Sequence, residues 1–487
     1  MEGVALPQSL SEANIYMVGI KGTGMAALAE ILVAGGAHVT GSDTAEKFQT
    51  DDLLRSLDLC YAEGFAASNL PDEIDLVIYS AAYDPANHEE LVAATARDLP
   101  LITYAEALGE LSGSMPSIGI AGVHGKTTTA ALCAAIVRAA ALPGTVLAGS
   151  ALSDLGGRAT LVQGRSFFIA ETCEYRRNFL RFRPSAIVIT NIEADHLDYF
   201  RDRADIISAF EEYARSLPLR GELIYCIDDD GACEIADSIS RERPDIRLTA
   251  YGERADGEGH VAYLPAPDGE IRFSVGHRSF TLRIPGKHNA LNAAAALIAV
   301  DRARQITHRD AGEHVDDVEF AAAAHDAVLE FHGTRRRSEI VGEAGGVLIL
   351  DDYAHHPTAI TATLAGYRDF YPGRRLILDF MSHTYSRTKA LLDEFGEALA
   401  AADILILHEI YASAREENPG DVDGEQLAEA ARHHGASVHF VPQVAEALPL
   451  VERIVQPGDL FVTMGAGNNW ELGRAFLNRL EEREAVS

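Results

Sequence analysis

The sequence predicts an α/β protein of three domains, each a mostly parallel sheet with helices on both faces. Three observations carry this expectation. The chain has 487 residues, and at roughly 100–200 residues per domain that length calls for about three domains. Short, β-branched apolar runs alternate with helical patterns along it, and strands separated by helices form parallel sheets covered on both sides. Apolar residues make up 47% and charged residues 23%, which suits a globular chain and is too balanced for a disordered, collagenous or membrane one.

Taken in order, residues 15–20 form the first strand signal, followed by glycines and by the helical pattern of residues 25–34. Residues 39–41 and 76–80 repeat the strand signal, so 14–111 read as alternating β and α. Residues 112–117 carry turn chemistry and mark a boundary. A second series begins at 118–121 and continues at 167–170 and 186–190. Residues 252–278, rich in Gly, Pro and Asp, are expected as hairpins at the edge of this domain, and 289–300 as a buried Ala-rich helix. After Gly333 come strand signals at 347–350, 375–380, 404–408, 437–441 and 460–463. The expected domains are 1–112, 113–327 and 328–487.

Charge and cysteine usage exclude several classes. Lys+Arg 41 against Asp+Glu 73 leaves a net charge of −32, which repels a phosphate backbone or an anionic lipid surface, so neither nucleic acid nor a membrane is an expected partner. The five cysteines are odd in number, and the closest pair, Cys226 and Cys233, is seven apart, so neither a disulfide framework nor a metal clip is visible. A reducing compartment fits. No basic-then-apolar leader is seen at the N-terminus, and no apolar run approaches the ~18–20 residues that span a bilayer. A cytoplasmic location is expected.

The strongest chemical signal is Ala121-Gly-Val-His-Gly-Lys-Thr-Thr-Thr129, after a strand and opening an Ala-rich helix. Backbone N–H groups of Gly122, His124 and Gly125 and the helix start can hold phosphate oxygens, Lys126 adds a cation, Thr127 can offer a hydroxyl to Mg²⁺, and Thr128 follows it. This is an ATP-type P-loop, although the position five before Gly125 is Ile120 rather than glycine. A second turn, Gly19-Ile-Lys-Gly22-Thr23-Gly24, lies between a strand and a helix, with Ser42 and Asp43 about twenty residues on, the arrangement of a dinucleotide or diphosphate turn. Two such turns imply two phosphorylated ligands.

Carboxylates and imidazoles follow at strand ends. Glu171 closes one strand, and Thr190-Asn-Ile-Glu-Ala-Asp-His196-Leu-Asp198 closes another, a donor set suited to Mg²⁺. His288 and Asn292 sit four apart at the start of a helix, where they either frame a base or cap the helix. Arg335-Arg-Arg337 can clamp phosphate or form a solvated edge. Asp351-Asp352-Tyr-Ala-His355-His356 ends a strand in the third domain, and in His383-Thr-Tyr-Ser-Arg387 the guanidinium can pair with a carboxylate bidentately.

In this order the motifs GIKGTGM, AGVHGKTTT, TNIEADHLD, PGKHNALNAAAA, FHGTRRR, DDYAHHPT, HTYSRT and MGAGNNW, spanning residues 19–470, resemble those of the Mur ligase family of ATP-dependent amide-forming enzymes. The resemblance implies an N-terminal Rossmann-like domain for a UDP-sugar, a central P-loop ATPase domain and a C-terminal dinucleotide-fold domain for an amino acid. It implies ligation of L-alanine to the lactyl carboxylate of UDP-N-acetylmuramate through an acyl phosphate, with ATP and Mg²⁺, in peptidoglycan precursor synthesis by a monomer or homodimer. Carried over, it gives Gly22, Thr23, Gly24, Ser42 and Asp43 to the UDP-sugar, and Lys126 and Thr127 to ATP phosphates and Mg²⁺. Glu171 and His196 become metal ligands, His288, Asn289 and Asn292 adenine contacts, Arg337 a phosphate contact and Asp352 a ribose contact. His355, His383 and Arg387 face the amino acid and the muramoyl carboxylate.

One stretch departs from the pattern: Thr-Cys-Glu-Tyr-Arg-Arg-Asn178 follows Glu171 where relatives carry Asp and Ser. A family member that attaches a whole tripeptide during murein recycling is the alternative within the family. A nicotinamide-dependent oxidoreductase is the alternative from another class, and it leaves the P-loop unexplained; a P-loop ATPase that needs no amino acid is a third. Several family members carry a lysine carbamylated by CO₂ shortly after the Asp-His motif. Here no lysine lies between Lys126 and Lys287, and Glu211 and Glu212 occupy that stretch, so turnover independent of CO₂ is expected.

Overall fold

A computed structural model of the chain describes residues 6–486 except 8, 49, 153, 154, 156, 196–198, 312–316, 413–417 and 419. The architecture is three-domain α/β, with one main sheet for each predicted series and one small additional sheet. By contacts the chain divides into two compact units, one of residues 1–192, 207–260 and 292–328, the other of 193–206, 261–291 and 329–487.

The first unit holds two sheets. Strands β1 (Asn14–Val18), β2 (His38–Asp43), β3 (Cys60–Glu63), β4 (Leu76–Tyr79) and β5 (Leu101–Thr103) pair in the order β3-β2-β1-β4-β5, all parallel. The order reverses at β1, and crevices that take ligands open beyond the carboxyl ends of strands at such a point. The Gly19–Gly24 turn occupies that place. The second sheet contains β6 (Ser117–Ala121), β7 (Gly144–Leu152), β8 (Arg158–Val162), β9 (Phe167–Glu171), β10 (Ala186–Ile189), β11 (Glu222–Cys226) and β12 (Arg247–Tyr251), ordered β12-β11-β10-β6-β9-β7-β8. Only β8 runs antiparallel, against β7. Its central strand β6 is flanked by β9 and β10, so the loops after all three converge on one end.

The second unit contains a sheet of β13 (Val261–Leu264), β14 (Ile271–Val275) and β15 (Arg278–Leu282), joined as antiparallel hairpins. The expected hairpins form, but as a sheet of their own rather than as an edge of the central one. Gly269 N–H donates to the Phe370 carbonyl at 3.2 Å, and Gly366 packs so closely on Gly286 that a side chain there would collide. These contacts tie the hairpins to the C-terminal part. The main sheet of this unit has β16 (Glu339–Ala344), β17 (Val347–Asp352), β18 (Leu376–Met381), β19 (Ile404–Leu407), β20 (Val438–Phe440) and β21 (Leu460–Gly465), in the order β16-β17-β21-β18-β19-β20. Its strands bury both faces: Leu350, Leu378, Leu405 and Val462 enter one core, while Ile349, Ile377, Ile406 and Phe461 enter the other. That is why they read as unbroken apolar runs.

Candidate active site

The P-loop follows from local backbone needs. β6 ends at Ala121, and the helix Lys126–Ala139 starts after Gly125, whose φ is +80°. A Cβ at Gly125 would strike the Asn292 side chain, and one at Gly122 (φ +137°) would strike Thr190. Only glycine satisfies both the left-handed conformation and the close approach. The loop is fixed from the end of β10: His124 N–H donates to Asn191 Oδ1 at 2.8 Å, and the His124 carbonyl accepts from Thr190 Oγ1 at 2.6 Å and from Asn191 Nδ2 at 3.0 Å. Helix-start N–H groups are thereby aimed at one spot, the requirement for holding phosphate.

Lys126 folds over this loop. Its Nζ donates to the carbonyls of Gly122 and Val123 and lies 3.0 Å from Glu174 Oε2. The side chains are 12% and 3% exposed, so the pair is buried. Burial alone would lower the lysine pKa, but the charge of Glu174, with Cys173 and Glu171 behind it, outweighs burial and raises it. Lys126 is a fixed cation. Thr127 and Thr128 are buried in the first turn of the helix, and Thr129 Oγ1 donates to Asn292 Oδ1 at 3.4 Å.

Glu171 ends β9, where its carboxylate accepts from Gly149 N–H at 2.7 Å. It lines a cavity of about 200 Å³ together with Thr23, Gly24, Tyr104, Cys173 and Phe179. The predicted diphosphate turn and the predicted metal carboxylate therefore open onto one space. Gly24 leaves room for the Tyr104 ring, which any Cβ there would strike. Gly22 caps the helix Thr23–Ala34. Ser42 and Asp43 face inward: Ser42 Oγ donates to the buried Glu90 at 2.5 Å, and Asp43 accepts from the N–H groups of Lys21 and Thr44, both at 2.7 Å.

In the second unit, Asp352 accepts from Ser338 N–H at 2.6 Å, Ala354 N–H at 2.7 Å and Tyr367 OH at 3.3 Å, which fixes the loop after β17. Arg336 is bound internally to Asp351 at 2.9 Å and to the Gly465 carbonyl at 2.7 Å. Arg336 and Arg337 both lie over the Tyr353 ring, 5.2 and 5.3 Å from its centroid. His355 Nδ1 is 2.8 Å from the Tyr353 carbonyl, which assigns the proton to Nδ1 and leaves Nε2 as an acceptor. Burial, reinforced by the positive charge of Arg387, holds its pKa well below the usual histidine value, so the ring is neutral.

Arg387 was expected to take a carboxylate through two nitrogens. In the structure both Nε, at 3.2 Å, and an NH₂ nitrogen, at 2.7 Å, reach a single oxygen of Asp195. His383 stacks on Tyr411 with centroids 6.0 Å apart. His288 starts the helix His288–Ala311, and Asn289 Nδ2 donates to the Pro285 carbonyl at 2.7 Å. His196 lies outside the described residues.

Four residues of the site were not assigned from the sequence. Glu174 is the carboxylate that meets Lys126; its signal was its place three residues after Glu171, inside the departing stretch. Asn191 and Asp195 lie within the quoted Thr190–Asp198 motif. Tyr104 gave no sequence signal, since only the fold brings it to Gly24.

The chain belongs to the Mur ligase family: residues 14–114 match the Mur ligase family catalytic domain, 120–300 the Mur ligase middle domain and 336–467 the Mur ligase glutamate ligase domain. Within the family, it is 46% identical over 484 residues to UDP-N-acetylmuramate–L-alanine ligase of Treponema pallidum, covering 99% of this chain and 100% of that protein. It is 38% identical over 463 residues to the protein of the same name from Borrelia garinii, covering 94% and 97%. Among solved structures, UDP-N-acetylmuramate-alanine ligase from Thermotoga maritima shares the fold with a TM-score of 0.74 at 24% identity, covering 96% of this chain and 99% of that one. A murein peptide ligase from Psychrobacter arcticus gives 0.64 at 23% identity, covering 96% and 98%.

Proposed function

We propose that this chain joins L-alanine to the lactyl carboxylate of UDP-N-acetylmuramate, with ATP converted to ADP and phosphate. The observation that carries this reading is 46% identity along the entire length of a relative so named, with the P-loop intact in geometry. A nicotinamide-dependent oxidoreductase would have no use for Lys126 and its loop. The family matches at 14–114, 120–300 and 336–467 are consistent with domain divisions at 112/113 and 327/328, although by contacts residues 261–291 group with the C-terminal part. No helix among the described residues is long and apolar enough to cross a membrane, as this reaction requires of none.

The chemistry sets what each part must do. A carboxylate resists attack by an amine, so one of its oxygens first attacks the γ-phosphorus of ATP and ADP leaves. The alanine amine then attacks the acyl carbon, phosphate leaves, and the nitrogen loses a proton. Lys126 and Arg337 offset charge on the transferred phosphoryl group. The hydroxyl of Thr127 and the carboxylate of Glu171 are hard oxygen donors at one end of the central sheet that fit Mg²⁺, and the resemblance adds His196 to them, whereas Glu174 is engaged with Lys126. When bound there, Mg²⁺ supplies charge neutralisation at the phosphates. Neutral His355, with Nε2 open as an acceptor, suits receipt of the amine proton, and Arg387 and His383 border the same region of the second unit. The cavity between Gly24 and Glu171 suits the sugar end of the nucleotide substrate.

The test is phosphate release with each substrate omitted in turn. Release is expected to require ATP, UDP-N-acetylmuramate and L-alanine together; equal turnover without either of the last two would sink the reading. Replacing L-alanine by a murein tripeptide distinguishes the recycling activity.

A further inference from the structure

Lys21 occupies the third position of the Gly19–Gly24 turn, where a lysine invites the reading of a phosphate-binding cation. Its surroundings say otherwise. The side chain is 1% exposed, and a buried ammonium must be paired within the protein. Its Nζ donates to the carbonyls of Thr44 at 2.9 Å and Glu46 at 3.0 Å. Glu63 lies 3.5 Å away and Asp51 3.8 Å away. The rings of Tyr61 and Phe48 stand 5.3 and 5.9 Å from it. With three donors at most and two already on carbonyls, this ammonium is committed to the chain.

Both carbonyl partners, with Asp51 and Phe48, lie on the segment after β2, whereas Glu63 and Tyr61 lie on β3. The Lys21 main chain grips the same segment: its N–H donates to Asp43 at 2.7 Å, and its carbonyl accepts from Thr50 Oγ1. In a parallel sheet the loops after β1 and β2 border one side of the crevice that opens at the carboxyl end. Residues 44–48 are therefore held as a wall beside the glycine turn by one side chain rooted in that turn.

We propose that Lys21 is a positioning residue for the uridine-diphosphate end of the substrate, which locks residues 44–48 beside the glycine turn and does not itself bind phosphate. This rests on the ligase reading above. If release of the lock leaves the competent arrangement populated about one time in ten, affinity for that substrate falls about tenfold, and kcat is spared because uniform binding alone is lost.

The experiment compares wild type with Lys21→Met, Lys21→Arg and Thr50→Val. KM for UDP-N-acetylmuramate is expected to rise about tenfold in Lys21→Met, with kcat and the KM for ATP and L-alanine within twofold of wild type and partial rescue in Lys21→Arg. Thr50→Val shows the same pattern more weakly and serves if Lys21→Met does not fold. Direct binding of uridine, UMP and UDP should weaken by one common factor, and trypsin should cut faster after the exposed Lys47. An unchanged KM in folded variants, or a loss that spares uridine and grows with phosphate number, overturns the assignment. Wild-type turnover that ignores UDP-N-acetylmuramate overturns the ligase reading itself, a result visible before any variant is measured.

Discussion

Lys126 carries two duties in one ammonium, and they separate by substitution. It neutralises the buried Glu174 in the free protein and offsets phosphoryl charge during turnover. Lys126→Ala should lower kcat by roughly 10²–10³, the order found when a donor to developing charge is removed. It should also destabilise the fold by about 3–5 kcal/mol, because a buried carboxylate loses its counter-charge. Adding Glu174→Gln removes that carboxylate charge, so the double variant should recover most of the thermal stability and none of the turnover. Recovery of turnover in the double variant would show that Lys126 acts only as a partner to Glu174. At this scale the sequence was legible where backbone needs are local: Gly122, Gly125 and Lys126 stand where the motif puts them. It was illegible where the fold brings separate loops together. Glu174 meets Lys126 across 48 positions, and Arg387 meets Asp195 across 192.

Among the elements, the C-terminal sheet is held by a polar knot that the apolar pattern does not reveal. Asp379 on β18 and His408 after β19 are both fully buried and 2.7 Å apart, and His408 Nδ1 faces the Val441 carbonyl at 2.8 Å. Asn469 Nδ2, ahead of the helix Trp470–Val486, donates to Asp379 Oδ1 at 2.8 Å. Burial by itself lowers the histidine pKa, yet the Asp379 charge and the hydrogen bonds outweigh it and raise the value above 6.5. The folded protein thus holds the proton more tightly than the unfolded chain. Its stabilisation is fully present below pH 6.5 and is lost as the pH rises through the folded-state value, by at most about 1.4 kcal/mol per pH unit. Comparing wild type with Asp379→Asn/His408→Gln, the gap in unfolding free energy should shrink between pH 6.5 and 9; a gap that stays level would assign the pair no linked proton. Sequence patterning finds β17, β18, β19 and β21 because strands buried on both faces are continuously apolar. It misses β3, β5, β7, β8, β11, β12 and β16; of these, β8 and β16 are antiparallel strands at sheet edges whose burial is partial and whose residues mix polar and apolar, whereas β11 lies inside its sheet and is largely buried.

Across the whole chain, lysine usage decides a question of chemistry that no single site answers. The five lysines are Lys21, Lys47, Lys126, Lys287 and Lys389, so the 160 positions between Lys126 and Lys287 offer no amine for carbamylation by CO₂. Glu211 and Glu212, in the stretch where such a lysine falls in relatives, are already engaged. Glu211 pairs with Arg215 at 3.0 Å and Glu212 with Arg177 at 2.8 Å, and Arg215 is shared with Glu242. They behave as surface helix carboxylates, whose ion pairs contribute little to stability, rather than as spare charge held for a metal. Glu171 stands near the P-loop as the carboxylate open to a metal, Glu174 being paired with Lys126. Turnover is therefore expected to be the same in degassed buffer and with added bicarbonate at fixed pH and ionic strength. Ionic strength must be matched because the net charge of −32 repels anionic substrates, and added salt screens that repulsion over about 10 Å at 0.1 M. A bicarbonate salt could thus raise the rate by screening alone, so chloride at equal ionic strength is the control. Stimulation by bicarbonate beyond that control would place a carbamate, and hence an unassigned amine, in the reaction.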